Sequence, residues 1–413
     1  MLWILIVLSA NLLLAGPIAP KYPINVKLDF DKAIGMLNAN DLNGAQTQLL
    51  KILSIDARFV PALVAMAEIR LKQGANLEAE SFFQRALKVD SKSAPINRSY
   101  ARYLFSQGKL DSAATALITA SRSANSATIQ VELGELRLTQ SKASLALQAF
   151  QQAASLEPAN PFAYRGMGTA FALLEKKVEA EAKFLKAVSL APNDAAFLFP
   201  LAVFYKEQNN FAKSEELFRK SLLLKPKDST ILAAFGDLYA GHGGGPKAIE
   251  LYNQANLLSP TASIFVRIGM LQQQSAHLSE AEAAYRKALQ LKPDTAVAMN
   301  NLAFLLLSQK RQLPEAESWA KKAIATAPAM SSYHDTLAMI YQAQGNNTAA
   351  LALLEKAAKL TPANPDIFYH LGLLHAGRKN TSLASTYLGR AIALDPKSSL
   401  ADEARRHLKA LGR

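Results

Sequence analysis

Residues 160–192 read NPFAYRGMGTAFALLEKKVEAEAKFLKAVSLAP. Two runs with apolar residues three and four apart flank the polar break Glu175-Lys176-Lys177, and this spacing predicts two helices joined by a short turn. Small residues stand where such helices would face each other: Gly168 in the first run, Ala180 and Ala187 in the second, with the bulky Phe184 between these two. Gly or Ala on facing sides lets two helices approach closely, and the large ring fills the space left against the next pair. A single hairpin of this kind cannot bury its apolar face, so copies must stack on it.

The copies are present on both sides. Prolines recur at Pro158, Pro192, Pro226, Pro260, Pro293, Pro328, Pro362 and Pro396, and upstream Ala57, Ser91 and Asn125 keep the same spacing without the ring. The period is close to 34 residues and runs from about residue 24 to 396. Aligned on it, Ala113, Ala146, Ala180, Ser214, Ala248 and Ala281 form one small column, and Phe83, Phe150, Phe184, Phe218, Tyr252 and Tyr285 form a large one. Gly134, Gly168, Ala202, Gly236, Gly269, Ala303, Ala338 and Gly372 form a second small column on the first helix of each unit.

This period with these columns resembles the tetratricopeptide repeat (TPR) family, and Tyr164, Gly168, Phe171, Ala180, Phe184, Ala187 and Pro192 come close to its whole pattern. The resemblance implies an all-α fold, a right-handed superhelical solenoid of about eleven helical hairpins over residues 24–396. Residues 397–413 hold Leu400, Ala404, Leu408 and Leu411 on one stripe and read as the C-terminal capping helix. The first two units read as lacking an aromatic residue on helix A, and the unit 296–328 carries one extra residue near Lys310-Arg311-Gln312.

Gly241 to Tyr252, GHGGGPKAIELY, has the look of a phosphate-cradling loop. A P-loop needs a strand before it and Gly-Lys-Ser/Thr at its end, whereas this stretch falls on the turn inside a repeat and continues Gly-Pro-Lys-Ala. It is expected to join a helix ending near Tyr239-Ala240 to one starting at Pro246, with the glycines making the turn looser than its equivalents.

Other chemistry is excluded piece by piece. The chain has no Cys, so disulfides, thiolate metal sites and a cysteine nucleophile are ruled out. His370 and His375 lie about 140° apart round a helix and do not share a metal-binding face. No HExxH, GxSxG or paired-acid motif has a supporting context, so neither an enzyme, a metal nor a cofactor is expected. The net charge of +13 is spread over helix faces, and no RNA-recognition or zinc-finger signature accompanies it. Nucleic acid is not expected as a partner.

Residues 1–20 differ from the rest. Met1 to Ala15 are apolar except for Ser9 and Asn11, and the run stops at Gly16-Pro17. The length suits a signal-peptide core, but no Lys or Arg precedes it and the small residues near its end are poorly placed for cleavage. The expectation is an N-terminal anchor or signal at a bacterial cell envelope, with the repeats in the periplasm or outside.

What remains is a surface. By resemblance to the family, the side of helix A turned away from helix B lines a concave groove that takes the ligand. Its residues here are Arg98, Arg102, Glu132, Glu135, Arg165, Phe199, Val203, Asp237, Arg267, Met270, Asn300, Asn301 and Phe304, with Asp335, Met339, Tyr369 and His370 at the end. The expectation is a non-catalytic scaffold that takes a protein or peptide in this groove. The alternative is a subunit of an exopolysaccharide synthesis or export machine, in which Arg98, Arg102 and Arg165 meet an anionic polysaccharide. All three arginines are expected to face solvent.

Overall fold

The computed structural model describes residues 24–412; the expected anchor, residues 1–20, lies outside them. Among the described residues the chain is all α, with 23 helices. Twenty-two of them pair as helix A and helix B of eleven hairpins, and Ser399–Ala410 caps the last one. The chain divides into two compact units at Leu224/Lys225: the first holds hairpins one to six, the second hairpins seven to eleven and the cap.

The hairpin over 160–192 is as the spacing predicts: helix A is Pro161–Leu173 and helix B is Lys177–Leu190. Asn160 caps helix A by accepting from the amides of Phe162 and Ala163, and Pro161 occupies the first turn, where no N–H is missed. Its helix A ends on a left-handed residue, Glu175, and the Lys176 amide donates to the Phe171 carbonyl at 2.9 Å. That six-to-one bond is the Schellman closure. Asn40, Gly74, Gly108, Ser141, Asn209, Gly243, Ala276, Lys310, Gly345 and Lys379 take the same role in the other hairpins. The extra residue of the ninth hairpin is absorbed here: Gln312 is left-handed as well as Lys310, and helix B then starts at Leu313.

The glycine-rich stretch is one more of these turns. Helix A runs Ser229–Gly241 and helix B Gly245–Leu258, so no strand precedes it. Only Gly243 needs the left-handed region, at φ +77°, while Gly244 lies against the Tyr239 ring and its amide donates to the Tyr239 carbonyl at 2.8 Å. The six-to-one bond matches the other turns, but the turn departs from its equivalents one residue earlier: His242 stands at φ −117°, ψ 24° and donates to the Tyr239 carbonyl three residues back, whereas Leu174 of the hairpin over 160–192 stands at φ −90°, ψ 9° and reaches the Ala170 carbonyl four back.

The small and large columns meet inside each hairpin. A Cβ on Gly134 would come within 2.6 Å of the Phe150 ring, on Gly168 within 2.8 Å of Phe184, on Gly236 within 2.6 Å of Tyr252, and on Gly269 within 2.5 Å of Tyr285. Phe150 is also pressed by Gly166 of the following hairpin, so one ring fills the space between two stacked units. Ser214, the polar exception in its column, is fully buried and donates to the Ala202 carbonyl at 2.8 Å. The first unit has Asp29 and Met36 in the columns of Tyr164 and Phe171, and an aromatic ring enters one position later: Phe30 is buried edge-on against Phe59, centroids 5.5 Å apart. In the cap, Ala401 and Ala404 are buried, and Leu400, Leu408 and Leu411 pack on the last hairpin.

Buried polar side chains on helix A have a structural task. Asn97 donates to the Ser91 carbonyl at 2.9 Å, and His334 sits 2.9 Å from the Pro328 carbonyl through Nε2. Both carbonyls lie just beyond a preceding helix B, in the column where proline recurs, and burial without a donor would be costly. Within each unit, most helices A touch the helix A of the next hairpin directly, whereas helices B do not to a comparable extent. The helix A side is therefore the more closely spaced face.

Candidate partner-binding face

In the first unit, the helix A face carries a ladder of charges that neutralise one another. Arg98 on Ala94–Ser106 donates from Nε to Glu132 Oε2 at 2.8 Å and from Nη2 to Oε1 at 2.9 Å. Arg102, one turn on, donates to the same Oε1 at 2.7 Å. Glu132 on Ala127–Thr139 thus holds two guanidiniums of the preceding hairpin. One turn along that helix, Glu135 accepts from Arg165 Nη2 of the following hairpin at 2.7 Å. The Arg165 guanidinium also lies over the Phe162 and Phe197 rings, 5.2 and 5.9 Å from their centroids. Glu68 extends the ladder backwards, accepting from Ser99 in a long contact of 3.4 Å. Burial raises the carboxyls of Glu68 and Glu135, each opposed by a neighbouring arginine.

This corrects the expectation of a solvent-facing basic patch. The Arg165 side chain is only 15% exposed, and all three arginines are engaged by Glu132 or Glu135. The side chains are paired because successive helices A lie side by side, so a residue reaches one some 30 to 34 positions away.

Phe199 is a second correction. The sequence reading places it in the groove with Val203, but it is 7% exposed and its ring lies 5.8 Å from that of Phe218 on helix B. Val203 is half-buried.

In the second unit the expected residues sort into supports and surface. Asp237 accepts from the Tyr252 hydroxyl and from Arg267 Nη1, both at 2.6 Å. The aromatic residue of helix B and the cation of the next helix A thus share one carboxylate. Burial, then the Asp237 hydrogen bond, raises the Tyr252 hydroxyl far above its ordinary range. Asn301 approaches the Tyr285 hydroxyl, which donates to Gln273 at 2.9 Å. Asn300 is half-buried, with a buried Oδ1 that has no donor.

Met270 and Phe304 are open. They stand one period apart on Ala262–Gln274 and Ala296–Ser308, 53% and 39% exposed. Val297, 41% exposed, is two turns before Phe304 and shares its face. The sequence reading missed it because a first-turn residue looks like a helix start. Met339 continues the row, half-buried. The arrangement offers apolar contact. No group of acidic or histidine side chains among the described residues could hold a metal ion, and no described helix is long and apolar enough to cross a membrane.

Comparison with known proteins agrees with this architecture. Family models described as tetratricopeptide repeat match residues 64–128, 131–195 and 266–331, and another matches 195–228. A further TPR repeat model matches residues 339–377. Among solved structures, a chain of the APC/C hetero-tetramer Cut9-Hcn1 superposes with a TM-score of 0.50 at 14% identity, covering 94% of this chain and 96% of that one. Yeast Tom70 gives 0.45 at 15% identity over the same shares. At such identities the likeness is one of fold alone. Protein O-mannosyl-transferase Tmtc1 of Drosophila melanogaster is 33% identical over 97 residues, 24% of this chain and 11% of that protein, so the chain spans about a tenth of that relative's length. Matches spread over more than half of its length, on hairpins whose Gly and aromatic columns interlock as the period requires, make the chain a member of the tetratricopeptide repeat family.

Proposed function

We propose that the protein is a non-catalytic adaptor that takes a segment of a protein partner on the helix A face of its second unit. The observation that carries this is the exposed apolar row Met270, Val297 and Phe304, on neighbouring helices of a face that is otherwise polar or self-neutralised. Large apolar side chains grouped on one surface mark an interaction site more readily than isolated ones do. The solenoid supplies rigidity, so a bound segment meets a row of side chains already in place. Residues 1–20 act in this reading as the tether that holds the adaptor at a cell envelope.

A polysaccharide-machine subunit was motivated by Arg98, Arg102 and Arg165. Their pairing with Glu132 and Glu135 removes the free positive charge that an anionic polymer would need, so protein is the preferred ligand.

The test is affinity. The partner recovered with the full chain from solubilised membranes is measured against the parent and against Met270→Ala/Phe304→Ala. Loss of two central apolar contacts should weaken binding by about thirtyfold or more, since a hot-spot truncation costs about 2 kcal/mol. Added salt should change parental affinity little. Unchanged binding in the double variant, with steep salt dependence in the parent, would overturn the reading.

A further inference from the structure

We propose that Tyr369 and His370 form a pH-dependent latch that ties hairpin ten, hairpin eleven and the capping helix together at the C-terminal end of the helix A face. The two are neighbours on Pro365–Gly377, yet they grip different layers. His370 Nδ1 lies 2.7 Å from Asp335 Oδ1 on Ser331–Ala343, the helix A before it. Tyr369 donates its hydroxyl to Glu403 Oε2 on Ser399–Ala410 at 3.1 Å, and its ring meets that of His407 edge-on at 5.9 Å. The Tyr369 and His370 rings are themselves 5.7 Å apart, so three layers converge on one dipeptide.

The Asp335 side chain is only 11% exposed and that of His370 20%. A carboxylate taken that far from water needs a cation or several donors, and the imidazolium is the cation available here. A neutral imidazole can still donate from Nδ1, so deprotonation keeps a hydrogen bond but leaves Asp335 facing an uncharged partner. Asp335 and, from its own helix, Asp366 are the charges that act on His370. The cap presents Glu403 and His407 through Tyr369, with Arg406 3.8 Å from Glu403. On the opposite side of the helix, Arg378 and Glu355 of Asn347–Leu360 act on His375 instead, and Tyr387 of Thr381–Leu394 stacks on it.

Burial pulls the His370 imidazole down, but the hydrogen bond to Asp335 and the charges of Asp335 and Asp366 outweigh it and hold the group above 6.5. The sign follows. A raised pKa in the folded state means that the latch is complete below the unfolded value and is lost as pH rises through the folded one. The C-terminal layers therefore loosen on the alkaline side.

The test uses the full chain. His370 is titrated by NMR, and local opening of residues 365–377 and 399–410 is followed by hydrogen exchange, corrected for the intrinsic rate, between about pH 6 and about pH 8.5. In the parent, the opening constant should rise about tenfold for each unit by which the folded pKa exceeds the unfolded one. In Asp335→Asn, His370 should titrate lower, because burial then prevails, and the loosening on the alkaline side should be lost or reversed. His370→Gln, which leaves Asp335 in place, should also abolish it, whereas His407→Asn should retain it. An opening constant that does not change with pH in the parent, or that rises in Asp335→Asn and His370→Gln as much as in the parent, would overturn the latch.

Discussion

The fate of each glycine depends on what stands over it. Gly168 and Gly389 are both inside helices, where replacing Gly by Ala ordinarily gains about 1 kcal/mol. A Cβ on Gly168 would meet the Phe184 ring at 2.8 Å, whereas one on Gly389 meets nothing within 4 Å. Gly389→Ala should therefore raise stability by about 1 kcal/mol, and Gly168→Ala should lower it by about 1–3 kcal/mol through overpacking. Urea denaturation of the two variants beside the parent checks both, and the same sign for both would mean that the Gly column is not a packing column. Gly168 was readable from sequence because its column repeats. The burial of Phe199 was not: the period puts it at the border of the helix A face, and only the position of Phe218 decides that the ring turns inward.

At the level of the element, hairpins were legible and the bonds between them were not. Turn positions follow from the period, and Lys310 with Gln312 absorbs the one added residue where the sequence showed it. The Arg–Glu ladder escaped because each pair joins different repeats, and single-helix reasoning sees only three and four residues away. Its consequence is a changed expectation for charge reversal. Converting Arg98, Arg102 and Arg165 to Glu sets three new carboxylates against Glu132 and Glu135, both of which are already poorly hydrated acceptors. Losing the partners of half-buried charges costs about 1–3 kcal/mol per site, less where solvent reaches. The triple variant should unfold at clearly lower temperature than the parent, with the loss in the first unit. Reversing Lys88, Arg122 and Lys177, which are exposed on helices B of the same unit, should change stability by no more than about 0.5 kcal/mol each. Equal melting of the two triple variants would mean that the ladder contributes nothing to the fold.

For the whole molecule, the period passes through residue 224 without a break, yet the chain forms two compact units there. Repetition of a column says that neighbouring units stack and leaves open how tightly each stack is made. Function divides the same way. The groove positions could be placed from the family pattern, but which of them are open required the neighbours of each side chain: the cations of the first unit are closed, and Met270, Val297 and Phe304 of the second are exposed. The central claim is that a protein partner lies on this second row. It is tested most directly by placing the photo-crosslinker p-benzoylphenylalanine at Phe304 in the full chain, and separately at Leu257, which is 85% exposed on helix Gly245–Leu258 of the same unit. With the recovered partner bound, we predict a covalent adduct from position 304 and none from position 257. An adduct from position 257 alone would put the partner on helix B and contradict the assignment.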